Sequence, residues 1–114
     1  MVQLTLYHNP RCSKSREALA LLTSRGVAFD VRRYLDAPLS REELETLAQR
    51  LGNEASRMLR HQDSQWQETD ITSLTREQIL AAIAESPRLL ERPILDNGHH
   101  AVIGRPPQAV LQLL

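Results

Sequence analysis

Two alternating apolar segments separated by one short helix constrain the fold of this chain more than any other feature. Apolar and polar residues alternate from Val2 to Tyr7 and again from Val27 to Arg32, which is typical of strands with a buried face. Between them, Ser15 to Leu22 has the apolar spacing of a helix, and Gly26 suits its C-terminal end. A strand, a crossover helix and a strand predict a right-handed parallel unit.

The remainder of the chain predicts more helices and a hairpin. Capping-box patterns begin at Ser40 and Thr75, so a helix is expected after each. Pro93 to Ile103 is typical of a β-hairpin with Asn97-Gly98 as a two-residue turn, and Pro106-Pro107 opens a last helix. The order β-α-β, helical insertion, β-β-α predicts an α/β thioredoxin-like fold, a four-stranded mixed sheet flanked by helices.

Length and charge limit the classes of protein that fit. A chain of 114 residues suits one domain, here residues 1–114. The 14 basic and 14 acidic residues balance, so no overall field attracts nucleic acid or an anionic membrane, and neither is expected as a partner. A single cysteine and the lack of a signal-peptide pattern or long apolar run lead us to expect the reducing cytoplasm.

The single cysteine, Cys12, lies where the first strand gives way to the first helix. A helix N-terminus carries roughly half a positive charge, which favours a thiolate over a thiol. Arg11, Lys14 and Arg16 add basic side chains nearby in sequence. We therefore predict a reactive thiolate at Cys12, and not the small buried apolar residue that a lone cysteine often is.

Residues around Cys12 have supporting roles in this prediction. His8 either lowers the thiol pKa as a nearby cation or donor, or simply holds the turn. Asn9 and Ser15 are expected to hydrogen-bond around the loop and the helix start. No metal site is predicted, because one cysteine excludes the multi-cysteine zinc type and His99 and His100 have no ligand-like companions.

Four sequence pieces together resemble the glutaredoxin-coupled arsenate reductase family, including its short branch of small thiol proteins. The likeness spans essentially the whole chain. The pieces are His8-Asn9-Pro10-Arg11-Cys12 with Ser15-Arg16, then Arg60, then Glu91-Arg92-Pro93-Ile94, and Gly104-Arg105-Pro106-Pro107. After the cysteine the family usually has Gly-Thr-Ser-Arg, and Ser13-Lys14-Ser15-Arg16 here adds bulk and charge at the pocket rim.

The resemblance implies an activity and a set of residues for it. Cys12 would be the nucleophile, and Arg60, Arg92 and Arg105 would bind the oxyanion arsenate beside it. Arginine suits that task, because its planar fork grips an oxyanion through two donors. Pro93 would be the cis-proline that faces the thiol. No cofactor would be bound; glutathione would be a co-substrate and glutaredoxin a protein partner, because the chain has no second thiol.

Two other functions remain open from the sequence. The first is a glutathione-dependent reductase of a protein or small disulfide, since Cys12-Ser13-Lys14-Ser15 resembles the motif of monothiol glutaredoxins. The second is a redox-responsive transcription regulator that binds RNA polymerase. Such regulators typically switch through Cys-x-x-Cys, and Ser15 replaces the second cysteine here. Three candidate oxyanion-binding arginines favour arsenate reduction over both.

Overall fold

Four short strands form one mixed sheet in the computed structural model, which describes residues 4–59 and 75–114. They are β1 (Thr5–Tyr7), β2 (Asp30–Arg32), β3 (Ile94–Asp96) and β4 (Ala101–Ile103), in the spatial order β2-β1-β3-β4. β1 is parallel to β2, whereas β3 is antiparallel to both β1 and β4. The predicted topology is confirmed.

Helix α1 (Ser13–Ser24) forms the crossover between the parallel strands. It buries Ala18 and Leu22, which lie four residues apart on one helical face. The helix ends where Arg25 N donates to the carbonyl of Leu21 (3.2 Å), and Gly26 follows at φ +68°. A positive φ is inexpensive only for glycine, so Gly26 ends the helix as predicted.

Both predicted capping boxes are present. Ser40 precedes α2 (Arg41–Leu51), and its hydroxyl accepts from Glu43 N while the Glu43 side chain accepts from Ser40 N. Thr75 and Gln78 make the same reciprocal pair at the start of α3 (Arg76–Glu85). These bonds satisfy N–H groups that have no partner within the helix.

Short 3-10 helices complete the structure described here. One continues from α2 over Gly52–Met58, a second follows α3 over Pro87–Leu89, and the last helix, Pro107–Leu113, is also of the 3-10 type. No helix within residues 4–59 and 75–114 has the length and apolar character needed to cross a membrane.

The sheet has a hydrophobic cluster on each face, because neighbouring residues of a strand point to opposite sides. Leu6 and Leu95 face α1 and the C-terminal 3-10 helix. Tyr7 and Ile94 face α2, α3 and the 3-10 helix between them. Helices therefore cover both faces, as the apolar patterns predicted. Fully buried members of the second cluster include Leu44, Leu47, Met58, Leu59, Leu80 and Leu90.

The hairpin loop differs from the prediction. Asp96 pairs with Ala101, so four residues (97–100) connect β3 to β4, and the predicted two-residue turn at Asn97-Gly98 is wrong. Of Asn97 and Gly98, Gly98 has a positive φ (+94°) and Asn97 does not, whereas that turn requires a positive φ at both central residues. The longer loop is stabilised by side chains: Asp96 Oδ1 accepts from Gly98 N, and Asn97 Oδ1 accepts from the backbone N–H groups of His99 and His100.

The second strand is shorter than predicted. β2 covers Asp30–Arg32 at the edge of the sheet, and Val31 is 45% exposed there. Val27 and Phe29 are half-buried against the cluster around Leu6 without belonging to the strand. The apolar spacing of Val27 and Phe29 therefore indicates that these side chains face the core. It does not indicate that their backbone is hydrogen-bonded into the sheet.

Candidate functional site

The strand register brings three distant segments to one end of the sheet, where the strands β1, β3 and β4 begin or finish. Tyr7 at the end of β1 pairs with Ile94 at the start of β3, and Ile94 pairs with Ile103 at the end of β4. The loop that carries Cys12 leaves from Tyr7, Arg92 precedes Ile94 by two residues, and Arg105 follows Ile103 by two residues. Antiparallel pairing of β3 with both neighbours therefore places the thiol and the two arginines predicted to bind an oxyanion at the same end of the sheet.

Cys12 occupies the N-cap position of α1. Its backbone is extended (φ −94°, ψ 124°), its N–H donates to the Asn9 carbonyl at 3.0 Å, and its carbonyl accepts from Arg16 N at 3.0 Å. The sulfur makes no capping hydrogen bond of good geometry, and the residue is partly exposed. The thiol is thus held at the positive end of a helix while remaining accessible to a reactant.

Opposing effects act on the pKa of Cys12, and the net result is a lowered value. Burial alone raises the pKa, because it disfavours the charged thiolate. The backbone N–H of Ser15, the guanidinium of Arg92 and the N–H of Lys14 outweigh burial by stabilising the thiolate. The sulfur is therefore poised to ionise more readily than a free cysteine.

The predicted basic neighbours of Cys12 contribute less directly than expected. Lys14 lies 3.9 Å from Glu17 on the exposed side of α1, and the Arg16 side chain is exposed. The largest cationic contribution to the lowered Cys12 pKa comes instead from Arg92, eighty positions later in the chain. Local sequence charge is therefore a poor guide to which cation faces the sulfur.

A buried network fixes the loop before Cys12. Ser15 Oγ accepts from Asn9 N at 3.0 Å and lies 2.6 Å from His8 Nδ1, and Asn9 Oδ1 accepts from Arg11 N at 3.0 Å. His8, Asn9 and Ser15 are all buried. Burial, reinforced by the charge of Arg33, lowers the pKa of His8. The imidazole is therefore neutral near pH 7, and its contacts favour the loop-holding role over the cationic one.

Arg105 reaches the thiol directly. Its Nη2 lies 3.6 Å from Cys12 Sγ, and its Nε donates to the Arg92 carbonyl at 2.9 Å. The Nε is also 3.1 Å from Oε1 of Glu91, a residue that the sequence analysis did not identify as part of the site. Glu91 belongs to the motif that contains Arg92 and Pro93, but nothing in the sequence indicates that its carboxylate would contact an arginine fourteen residues away after the hairpin.

The peptide bond between Arg92 and Pro93 is cis, as the resemblance implied. Pro93 is buried, and a Cβ added to Gly104 would lie only 2.7 Å from Pro93 Cγ. Gly104 N also donates to the Pro93 carbonyl at 2.7 Å. A glycine is required there because any side chain would collide with the proline ring, and Arg105 follows directly.

Arg60 lies outside the described residues. The guanidinium of Arg92 is half-buried, and its Nε makes no hydrogen bond with any residue that the structure describes. His99 and His100 are exposed in the hairpin loop. Within residues 4–59 and 75–114, no three His, Cys, Asp or Glu side chains lie close enough together to bind a metal ion.

The arrangement suits capture of an oxyanion by a nucleophilic sulfur. A helix N-terminus and two guanidinium groups converge on one thiol, and both kinds of group bind anions. The same groups that stabilise a thiolate would neutralise an oxyanion beside it. A site of this kind can hold negative charge on the ligand and on the nucleophile at the same time.

Comparison with known proteins gives a consistent result along the whole chain. The model of the ArsC family matches residues 7–113. An arsenate reductase of Haemophilus influenzae is 40% identical over 116 residues, covering 99% of this chain and 100% of that protein. The uncharacterized Escherichia coli protein YfgD is 41% identical over 115 residues, covering 98% and 97%.

A solved structure agrees with both the sequence and the fold. The arsenate reductase from Vibrio cholerae superposes with a TM-score of 0.88 at 44% identity, covering 99% of this chain and 98% of that one. The sheet order, the cysteine loop and the match over residues 7–113 lead to one conclusion: this chain belongs to the ArsC family and has its thioredoxin-like fold.

Proposed function

We propose that this protein reduces arsenate to arsenite with Cys12 as the nucleophile and with glutathione and glutaredoxin as external reductants. The observation that supports the proposal most strongly is the lowered pKa of Cys12 beside Arg92, with Arg105 Nη2 3.6 Å from the sulfur. Relatives at 40% and 44% identity that are named arsenate reductases support the same substrate.

In the proposed reaction the Cys12 thiolate attacks arsenic, a sulfur–arsenic bond forms, and one arsenate oxygen leaves as water. Glutathione then attacks the adduct. Cys12 and glutathione become joined in a mixed disulfide, the two electrons released by their sulfurs reduce arsenic, and arsenite leaves. A glutaredoxin thiol finally attacks the mixed disulfide and frees Cys12. The chain has no second cysteine that could carry out that last step itself.

Each site residue has a role in this proposal. Arg92 and Arg105, together with Arg60, bind the arsenate oxygens and orient arsenic toward the sulfur. His8, Asn9 and Ser15 hold the loop so that Cys12 stays at the helix N-terminus, and the buried Pro93 follows Arg92 directly. The cycle needs reduced thiols, and therefore we place the protein in the cytoplasm.

The test is turnover by purified protein. With arsenate, glutathione, glutaredoxin, glutathione reductase and NADPH, we expect NADPH oxidation that depends on arsenate and produces arsenite. Cys12→Ser removes the nucleophile and should reduce the rate to background, whereas Ser24→Ala on the exposed end of α1 should retain it. Efficient reduction of a glutathione mixed disulfide without any arsenate turnover would reject the proposal and favour the disulfide reductase.

A further inference from the structure

Glu91 is fixed in place by contacts on both its backbone and its side chain. Its N–H donates to the Met58 carbonyl at 2.6 Å. Its Oε1 accepts from Arg92 N at 3.1 Å and also lies 3.1 Å from Arg105 Nε. The side chain is only 16% exposed. The carboxylate therefore has little freedom to move, and whatever it contacts is held with it.

The Nε side and the Nη2 side of the Arg105 guanidinium have different contacts. Nε is engaged by the Glu91 carboxylate and the Arg92 carbonyl, and Nη2 points to Cys12 Sγ at 3.6 Å. A guanidinium is planar and rigid, so holding its Nε side sets the direction of its terminal nitrogens. The Glu91 carboxylate and the Arg92 carbonyl together thus determine where Arg105 presents its donors.

The charge of Glu91 acts against the site that it borders. A carboxylate next to Arg105 offsets part of the positive charge that would stabilise a thiolate or an arsenate oxygen. If only the net charge of the site mattered, a neutral residue at position 91 would serve better. The benefit of Glu91 must therefore come from geometry, through its ion pair with Arg105 Nε and the hydrogen bond that it accepts from Arg92 N.

We propose that Glu91 is a positioning residue that aims Arg105 at the sulfur and at the oxyanion bound beside it. The oxyanion part of this inference rests on the proposed function. The effect on the thiol does not, because the Arg105–Cys12 contact exists without any substrate.

Three substitutions separate position from charge. Glu91→Gln removes the charge but keeps an acceptor oxygen for Arg105 Nε and Arg92 N. Glu91→Ala removes both the charge and the acceptor. Glu91→Asp keeps the charge but withdraws the acceptor by one methylene. If Glu91 acted only as a negative charge, Gln and Ala would lower the Cys12 pKa equally and Asp would resemble the wild type.

The primary measurement is the rate of Cys12 alkylation by iodoacetamide as a function of pH, which needs no arsenate. We expect a higher midpoint for Glu91→Ala than for Glu91→Gln, because only Ala removes the acceptor at position 91 that helps to hold Arg105 Nε, and a higher midpoint for Glu91→Asp than for the wild type. Glu54→Ala is the matched control, since it breaks a Glu–Arg pair with Arg57 (2.7 Å) on the surface of the 3-10 helix after α2. Its midpoint should equal that of the wild type.

Arsenate kinetics give the second measurement. We expect kcat/KM to fall about 10- to 100-fold in Glu91→Ala, as displaced catalytic groups typically cause, and to stay within about 3-fold of the wild type in Glu91→Gln. Equal alkylation midpoints for Ala and Gln would overturn the positioning role, even if the wild type turns over arsenate. A wild type without arsenate turnover would reject the proposed function, while the alkylation comparison would still decide the role of Glu91.

Discussion

At the scale of single residues, Cys12 gains its reactivity from groups that the fold brings together. Burial raises the pKa of the thiol, and the N–H groups at the start of α1 and the Arg92 guanidinium overcome that effect. The helix N-terminus is local to Cys12, but Arg92 arrives only through the pairing of β1 with β3. Removing Arg92 should therefore change the thiol without disturbing the helix.

We predict that Cys12 is alkylated with a pH midpoint below that of free cysteine, because its lowered pKa means that the thiolate forms at a lower pH. Arg92→Ala should raise that midpoint, because it removes the cation whose hydrogen bond and charge favour the thiolate. The measurement is the iodoacetamide rate between about pH 5 and pH 10, a range that includes the free-cysteine pKa of about 8.5 and extends well below it. Arg88→Ala, an exposed arginine on the preceding 3-10 helix, is the control.

An unchanged midpoint in Arg92→Ala would contradict this explanation of the Cys12 pKa. The thiolate would then be stabilised without Arg92, by the N–H groups of α1 and by Arg105, whose Nη2 lies 3.6 Å from the sulfur.

The motifs located the residues that meet around Cys12, but they did not show every contact between those residues. The position of Cys12 at a helix start follows from the adjoining strand and helix patterns. Arg92 and Arg105 were found through their motifs, and they do lie beside the sulfur or influence it. Glu91 was missed, because its partner Arg105 is reached only after the hairpin.

At the scale of elements, an ion pair connects the edge strand β2 to helix α2. Arg32 on β2 donates to both carboxylate oxygens of Glu43, which is also the N3 residue of the Ser40 capping box. The hydrogen bonds from Arg32, followed by the one from Ser40 N, lower the pKa of Glu43 to about 2. One carboxylate therefore serves both the start of a helix and the edge of the sheet.

We predict that this pair stabilises the fold in a pH-dependent way. The folded pKa of Glu43 lies below its ordinary value of 4.5, so the stabilisation is complete above pH 4.5 and is lost as the pH falls toward 2. Glu43→Gln should cost up to about 1 kcal/mol at pH 7, a small value because the side chain is 43% exposed and water screens the pair. Urea unfolding at pH 7, 4 and 2.5 should show the difference from the wild type shrinking.

The second capping box supplies the control for this experiment. Gln78 occupies the equivalent N3 position and carries no charge, so Gln78→Ala should have a cost that does not change over the same pH range. A cost of Glu43→Gln that is equally independent of pH would contradict the role of the ion pair.

Capping boxes and the hairpin turn differ in how well sequence predicts them. A capping box needs only four consecutive residues, and both predicted boxes formed. The Asn97-Gly98 turn was wrong because the side chains of Asp96 and Asn97 accept hydrogen bonds from a four-residue loop. Turn propensity describes the isolated backbone and omits such side-chain acceptors.

At the scale of the whole molecule, an ion pair between a half-buried arginine and a buried aspartate connects helix α2 to the hairpin. Arg50 in α2 lies 2.6 Å from Asp96 at the end of β3, and the Asp96 side chain is only 6% exposed. The two residues are 46 positions apart. Asp96 also accepts from Gly98 N, so a single carboxylate stabilises both the hairpin loop and the contact between α2 and the sheet.

We predict that Arg50 and Asp96 are energetically coupled. Asp96→Asn keeps an acceptor for Gly98 N but loses the charge that pairs with Arg50, and it should cost about 2 kcal/mol, the value typical of a hydrogen bond between charged groups. When Arg50 has already been replaced by Met, Asp96→Asn should lower the free energy of unfolding by clearly less. The measurement is a double-mutant cycle from urea unfolding. Additive effects of the two substitutions would show that the pair does not stabilise the fold.

The meeting of Cys12, Arg92 and Arg105 depends on the whole sheet, and the sequence motifs alone do not predict it. The sequence identifies a cysteine and arginines in distant segments, and the order of elements predicts the topology. Only the register, with Tyr7 opposite Ile94 and Ile94 opposite Ile103, places the three segments at one end of the sheet. Because a shift of two residues moves a strand by about 7 Å, a hairpin in another register would carry Arg105 out of reach of the thiol.

The same register sends the loop of residues 97–100 to the far end of the sheet, where Asp96 pairs with Thr5 and Ala101. One end of the hairpin thus lies at the thiol, and its loop lies at the opposite end in solvent. Gly98, His99 and His100 in that loop are exposed and are not part of the site around Cys12. A fluorescent or affinity label inserted between Gly98 and His99 would therefore leave the sulfur and its guanidinium neighbours undisturbed, which makes that tip the natural attachment point for following this protein during turnover.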